Sequence, residues 1–291
     1  MELLEYNSIG ALVKTAEAES ISLSKLILRD QAAALEKSED ELFAQMTRYY
    51  GIMRESAEKG MAKELRSSSG LSGGGGWLLL RHAGGNPISG SFCAKALARA
   101  VAIAEYNASM GKIVAAPTAG SCGILPAAVI TMQEERGIDD EAAVLSLWTA
   151  GGFGMVIARQ ASISGAEGGC QAECGSAAAI AAAALTELSG GVPAQCAQAA
   201  ALAITNSLGL VCDPIGGLVE VPCVARNAGG IMNAIGAAEL AVAGFSLPIP
   251  IDEVIDTMRD VGAAIPGSLR ETAAGGLAVT PTACALCSNH R

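Results

Sequence analysis

Ile163-Ser164-Gly165-Ala166-Glu167-Gly168-Gly169-Cys170-Gln171-Ala172-Glu173-Cys174-Gly175-Ser176 is a polar, glycine-rich turn carrying two cysteines and two carboxylates, and it runs straight into an alanine-rich stretch. Ala177 to Leu188 holds almost no polar side chain, so the pattern predicts a helix packed on every side. The first N–H groups of such a helix have no intrahelical partners and point back at the turn. A buried helix start suits an anion, whether a thiolate or the carboxylate of a small substrate. The other segments are therefore read for groups that converge on Cys170.

Outward from this turn, the same alternation of buried helix and irregular loop recurs. Ser91 to Met110 reads as an alanine-rich helix capped by Gly111. Lys112-Ile-Val-Ala-Ala-Pro-Thr-Ala-Gly-Ser-Cys-Gly-Ile-Leu-Pro126 is a second polar turn feeding a helix. It lacks the Gly-Lys-Ser/Thr ending of a Walker loop. Gly151-Gly152-Phe153-Gly154 likewise fails as a dinucleotide fingerprint. Ala194 to Leu208 reads as another buried helix stopped by Gly209, and Leu210 to Asn227 as an irregular, proline-flanked segment with Cys212 and Cys223. Helical spacing resumes over Ala228–Ala243 and Asp252–Val261, and strand signals are nearly absent. The fold class expected is all-α, with buried Ala-rich helices and functional inter-helix loops.

Residues 1–65 carry Ile9-x-x-Leu12-Val13 and Leu23-x-x-Leu26-Ile27 at helical spacing, with Ser22 as an N-cap. They are expected to form an amphipathic N-terminal arm of two or three helices, and residues 66–291 the catalytic domain. Between them, Ser67-Ser-Ser-Gly-Leu-Ser-Gly-Gly-Gly-Gly76 and Gly84 to Gly90 read as a linker or as loops that cradle a ligand.

Composition narrows the function. The interior is built of small aliphatic residues, since 51% of the chain is hydrophobic and only 3% aromatic. A net charge of −10 disfavours polyanionic partners, so neither nucleic acid nor a membrane surface is expected. Apolar runs break before about 20 residues and no signal peptide opens the chain, which points to the cytoplasm. Nine cysteines, an odd number, then read as reduced thiols. Cys170, Cys212 and Cys223 differ from the rest in lying beside glycine, proline or carboxylate. On spacing alone they suit an iron-sulfur cluster with one open iron, a zinc site, or ordinary thiols. Zinc would need a fourth ligand, and only His82 and His290 are available. Cys174 and Cys122 read as packing cysteines.

The segments 112–126, 162–175, 208–223 (Leu-Gly-Leu-Val-Cys-Asp-Pro-Ile-Gly-Gly-Leu-Val-Glu-Val-Pro-Cys) and 269–281 (Leu-Arg-Glu-Thr-Ala-Ala-Gly-Gly-Leu-Ala-Val-Thr-Pro) resemble the α chain of bacterial iron-sulfur-dependent L-serine dehydratase from roughly Arg66 onward. The resemblance implies a 4Fe-4S cluster on Cys170, Cys212 and Cys223, and deamination of L-serine to pyruvate and ammonia. It implies a separate β chain as partner, because the family's Ser-His-Thr-x-Gly-Pro part is absent here. The family's aspartate after Ser-Gly-x-x-Gly-Gly is also missing from the loop around Ser69.

Candidate catalytic groups are Lys112, Glu167 and Arg270, with Glu173 a further proton carrier or clamp. Candidate substrate-binding groups are Ser69, Thr118, Gly120, Ser121 and Asn227. Cys284 and Cys287 are candidates for a fourth cluster ligand when no substrate is present. Competing readings are a pyridoxal-phosphate dehydratase using Lys112, a related helical desulfidase acting on L-cysteine, and a non-catalytic partner-binding subunit.

Overall fold

The computed structural model describes residues 6–289, so Met1–Glu5, His290 and Arg291 lie outside the described part. The regular elements are α1 (Ile9–Glu19), α2 (Leu23–Leu35), α3 (Glu39–Gly60), α4 (Gly75–Ala83), α5 (Gly90–Ala108), α6 (Ile124–Arg136), α7 (Asp140–Gln160), the single turn α8 (Gly165–Gly168), α9 (Ser176–Leu188), α10 (Pro193–Thr205), α11 (Cys223–Val242), α12 (Ile251–Ala264) and α13 (Pro281–Asn289). Among the described residues there is no strand, only one isolated bridge between Cys212 and Arg270. The all-α expectation is met.

Helix α9 is the axis of the packing. Every side chain from Ser176 to Thr186 is buried, and α6, α7, α10 and α11 pack around it. Alanine permits this, because helices that meet through methyl groups approach closely and exclude water. Helix α7 is the only described helix long and apolar enough to cross a membrane. It lies between α2 and α9 instead, with Phe153, Val156 and Ile157 fully buried. The glycines at 151, 152 and 154 fall inside this helix, where Gly152 makes room for Ile27 of α2.

The helices of the N-terminal stretch put their apolar faces into the same core. Ile9, Leu23, Leu26, Ile27 and Tyr50 share one buried cluster with Phe153 and Ile180. Ser22 caps α2 as its position suggests, accepting from the Lys25 N–H at 3.3 Å. Helix α1 is capped by Ser8 and also tied to α12: the Asp252 carboxylate accepts from the Ile9 and Gly10 N–H groups at 2.9 and 3.1 Å. That places an anion at a helix N-terminus, where the macrodipole favours it.

Three local expectations shift. Helix α5 ends at Ala108, and the left-handed residue behind it is Met110, with φ 64°, not Gly111. Gly111 is needed for contact instead, since a Cβ there would sit 2.5 Å from the Tyr106 ring. Helix α11 starts at Cys223, five residues before the expected start, with Pro222 as its N-cap. The closing segment ends in a helix, α13, that its sequence did not announce.

Close approach also fixes α3 against α5. A Cβ on Gly60 would lie 2.2 Å from the Ala102 carbonyl oxygen. Gly60→Ala is therefore expected to destabilise the chain by about 2 kcal/mol, the usual cost of overpacking a tight contact. A chemical-denaturation midpoint unchanged from the parent would refute this.

Candidate functional site

Gly169 starts the site. Its φ of 75° with ψ near 180° is open to glycine alone, and a Cβ would lie 2.8 Å from the Leu210 carbonyl oxygen. The next five residues after Cys170, Gln171–Gly175, form a π-helical turn that leads directly into α9. A π turn takes more residues per revolution than an α turn. Cys174, at its end, is buried in the apolar core. Gln171 anchors the turn: its Nε2 donates to the Met258 carbonyl at 2.7 Å and its Oε1 accepts from the Gly209 N–H at 2.8 Å.

Cys212 is held by backbone pairing. Its N–H donates to the Leu269 carbonyl at 2.8 Å and its carbonyl accepts from the Glu271 N–H at 2.8 Å. Cys223 is the first residue of α11. One turn on, the Arg226 guanidinium folds back, donating to the Val211 carbonyl at 2.8 Å and to Asp213 Oδ1 at 2.6 Å. Asp213 Oδ2 accepts from the Leu277 N–H at 2.7 Å. Gly276, at φ 60°, leaves the room this needs, because a Cβ would fall 2.3 Å from the same oxygen.

Three thiols from three segments thus meet in one buried place: Cys170, Cys212 and Cys223 are 2, 2 and 6% exposed. Cys170 and Cys223 lie near enough to raise the proton affinity of Cys212, and Cys170 that of Cys223. Burial pushes the Cys223 thiol up to about 12 and that of Cys212 further. Cys170 moves the opposite way, pulled down first by the neighbouring Cys174 and then by the Arg226 charge. Beside them stands Glu173, whose carboxyl burial raises above the usual carboxylate range. Thr118 offsets part of that rise, and Glu173 accepts a long, 4.0 Å bond from the Cys212 thiol. Gly165 and Gly120 wall it: a Cβ on Gly165 would lie 2.9 Å from both Glu173 Oε2 and Cys212 Sγ.

Among the described residues, no three His, Cys, Asp or Glu side chains converge closely enough for a single metal ion, as zinc would require. A cubane makes a different demand, since each cysteine binds a different iron and the sulfurs stay apart. Three buried thiols on separate, rigidly held segments fit that donor set. Metal binding would also remove the protons that burial now favours on Cys212 and Cys223.

A sequence model of the serine dehydratase alpha chain family matches residues 18–278. The chain is 44% identical over 278 residues to a probable L-serine dehydratase alpha chain of Bacillus subtilis, covering 95% of this chain and 92% of that one. It is 42% identical to the L-serine dehydratase alpha chain of Peptoniphilus asaccharolyticus, over 95% of each chain. An L-serine dehydratase of Streptomyces coelicolor is 38% identical, over 94% of this chain but 60% of its own length.

The chain belongs to the serine dehydratase alpha chain family. Its likeness to that family reaches well before Arg66, where the sequence motifs begin.

Within this family member, the remaining candidates divide into those at the thiols and those elsewhere. Thr118 and Ser121 are near Glu173, their hydroxyls 3.1 Å apart. Gly120 lines it too, but its carbonyl is taken by Asn227, whose amide also donates to the Cys223 carbonyl and accepts from the Gly123 N–H. Asn227 is therefore a fully engaged tie between the 118–123 loop and α11. Arg270 pairs with Cys212 through its backbone, while its guanidinium reaches the Glu167 carbonyl at 3.2 Å beside a cavity of about 210 Å³. The Glu167 carboxylate is exposed and accepts from Ser162 at 2.6 Å. Lys112 is exposed, and Glu55 of α3 is paired with Lys59.

Ser69 donates to the Glu220 carboxylate, as does Ser72 at 2.6 Å. Glu220, 3% exposed, clips the serine loop to the segment between Cys212 and Cys223. The glycine loop beyond it is filled by the protein itself. Glu105 accepts from the N–H groups of Gly73, Gly75 and Gly76, each at 3.1 Å. His82 is exposed on α4, and His290 lies outside the described residues. Cys287 packs on Gly216 and Cys284 is exposed.

Sequence reasoning assigned no role to Arg226, Asp213, Glu220 or Glu105. Arg226 and Asp213 were visible only as lone charges flanking apolar, proline-rich sequence, which is the signal that could have found them.

The buried Glu173 has a measurable consequence. Its proton is held more tightly folded than unfolded, so wild type loses stability as pH rises through the ordinary glutamate pKa and above it. Glu173→Gln removes that loss. In the cluster-free chain the variant is expected to be more stable than wild type at pH 7, with the difference vanishing below about pH 4. Urea titrations at both pH values check this, and equal stability at pH 7 would contradict it.

Proposed function

We propose that this chain is the α chain of an iron-sulfur-dependent L-serine dehydratase, eliminating water from L-serine to yield pyruvate and ammonia. The observation that carries the reading is the meeting of Cys170, Cys212 and Cys223 around the buried carboxyl of Glu173. A 4Fe-4S cluster bound on these cysteines supplies a Lewis-acidic iron that makes the serine hydroxyl a better leaving group.

The protein's own groups carry the rest. Glu173 takes the α-proton: it is the carboxylate among the thiols, and its raised proton affinity brings it closer to the working pH, where a general base is effective. Thr118 and Ser121 fix the substrate carboxylate with their hydroxyls, on a loop that Asn227 holds rigid. The buried surroundings exclude bulk water, which strengthens each of these interactions. The backbone of Leu269 and Glu271, on either side of Arg270, holds Cys212, whereas the side chains of Lys112 and Glu167 are exposed and that of Glu167 is bonded to Ser162. The enamine released by elimination tautomerises and hydrolyses in water.

The reading includes a separate β chain. It is supported by the alpha-chain names of the Bacillus and Peptoniphilus relatives, and by the extra length of the Streptomyces protein beyond the part that this chain spans. It places the enzyme in the cytoplasm, where nine cysteines outside disulfides stay reduced.

The test is anaerobic reconstitution with iron and sulfide, followed by pyruvate assay from L-serine with and without the β chain. Wild type is expected to take up about four irons and Cys212→Ser fewer. Glu173→Gln is expected to keep its iron yet lose at least about 100-fold in kcat. Failure of wild type to bind iron would overturn the reading, and an active Glu173→Gln would remove this residue as the base.

A further inference from the structure

We propose that the cavity of about 210 Å³ lined by α8, α12 and Arg270 is a second binding site, which takes a small carboxylate on the Arg270 guanidinium. The inference does not depend on whether the cysteines hold a cluster.

It starts from an unsatisfied donor on a charged group. Arg270 Nε is buried and has no hydrogen-bond partner among the described residues. Nη1 of the same guanidinium donates to the Glu167 carbonyl, a neutral group, at 3.2 Å. A buried donor left unpaired costs more than an ordinary hydrogen bond gains, and the cost is larger on a charged group. An acceptor that enters from outside removes it.

The surroundings suit a small organic anion. Arg270 shares the cavity wall with Ser162, Glu167, Ala172, Arg259 and Ala263. Arg259 donates to Asp256 at 2.5 Å and to Asp260 at 3.2 Å, so its charge is balanced where it stands. Arg270 is the donor left to meet a ligand. The planar fork of a guanidinium matches a carboxylate, to which it presents two N–H groups side by side. The space exceeds that of one water, about 30 Å³ in the liquid, and falls below the range of drug-sized ligands. Molecules of a few carbon atoms remain. The same wall carries the Glu167 carboxylate, one oxygen of which accepts from Ser162 at 2.6 Å. Its remaining acceptor capacity suits an ammonium group. The carboxylate therefore has two possible sources: a simple organic acid held by Arg270 alone, or an α-amino acid whose ammonium also meets Glu167.

The location gives binding a consequence. Leu269 and Glu271, on either side of Arg270, each pair with the Cys212 backbone at 2.8 Å. Ala172 belongs to the π turn that follows Cys170. A carboxylate that fixes the Arg270 side chain also steadies the 269–271 backbone, and with it the Cys212 segment, without touching a thiol.

The experiment is calorimetric titration of the full, cluster-free chain with acetate, pyruvate and glycine, followed by amide hydrogen exchange at ligand saturation. A dissociation constant on the order of 1 mM is expected, which a ligand of about six heavy atoms can reach. Arg270→Gln is expected to weaken binding at least about tenfold, the effect of losing a hydrogen bond to a charged group. Ala263→Leu, at an exposed position of α12, fills the cavity and leaves Arg270 in place; it is expected to weaken binding too, and it replaces the first variant should that one fail to fold. Ligand is expected to slow exchange at the Cys212 and Glu271 amides of wild type.

Acetate or pyruvate binding at least as tightly as glycine would assign the site to simple acids. Tighter glycine binding, with the preference lost in Glu167→Gln, would assign it to amino acids. Binding that survives both Arg270→Gln and Ala263→Leu, or that Thr118→Ala abolishes instead, would overturn the inference. Failure of wild type to bind any of the three would overturn it as well, and leave water as the partner of Arg270. Unchanged exchange at saturation would overturn the link to Cys212. Each of these outcomes is separate from the reading of the cysteines as cluster ligands, which iron uptake tests.

Discussion

The ion pair between Asp213 and Arg226 is the interaction on which the site depends. Their side chains are 5 and 16% exposed, and the two charges lie 2.6 Å apart. Taking either one alone out of water is costly, and removing one partner of a buried pair leaves an uncompensated charge worth several kcal/mol. The pair is tolerable because the remaining polar atoms are used. Arg226 also meets the Val211 carbonyl, and Asp213 meets the Leu277 N–H. One pair thereby joins the segment around Cys212, the start of α11 with Cys223, and the loop at 275–277. A planar, multiply donating guanidinium can reach two acceptors in one plane, a geometry that a lysine lacks.

Around this pair the scaffold is arranged to keep the backbone still. The turn with Cys170 and Glu173 sits at the head of α9, whose residues are buried for eleven positions. Backbone so enclosed has nowhere to move without opening a cavity. The serine loop is pinned by Glu220 and the glycine loop by Glu105, both internal carboxylates satisfied by hydroxyl or backbone donors. A loop rich in glycine loses much conformational entropy on ordering. Three N–H bonds to one carboxylate offset part of that loss, and the ordered loop in turn supports Glu220 beside Cys223.

Much of this was legible in the sequence, and the reason differs by element. The alanine-rich windows could only be buried helices, because no other structure packs such small side chains all round; α5, α9 and α10 follow. Cys170, Cys212 and Cys223 stood out because thiols outside helices, beside glycine and proline, are not needed for packing. The π turn was not legible: its five residues scan as a helix start, and only the tertiary fit of Gly169 against Leu210 and of Gln171 against Met258 selects the wider turn. The partners of Glu220 and Glu105 were also out of reach. Ser69 and Glu220 are 151 residues apart, and nothing local to either announces the other. Ser69 read as a substrate contact for the same reason that it bonds Glu220, since a loop hydroxyl suits any carboxylate. Asn227 read as a clamp and turned out to be a tie, because a buried amide satisfies whichever backbone groups the fold leaves unpaired.

The site also runs against the stability of its own fold. Burial raises the proton affinity of Glu173, Cys212 and Cys223, so the cluster-free chain carries a carboxyl and thiols in surroundings that resist their charged forms. A structure optimised only for folding would place apolar side chains there. The arrangement makes sense when these groups are needed together: the thiols as anionic ligands, the carboxyl as a proton acceptor, and the glycines at 120 and 165 as the absence of side chains that would fill the space between them. The alanine core is then what makes the arrangement affordable, because tight packing of α6, α7, α10 and α11 on α9 supplies stability at a distance from the chemistry. Scaffold and site meet at a single point, the π turn. There the buried helix gives way to a wider turn, and that turn carries Glu173 beside the Cys212 thiol.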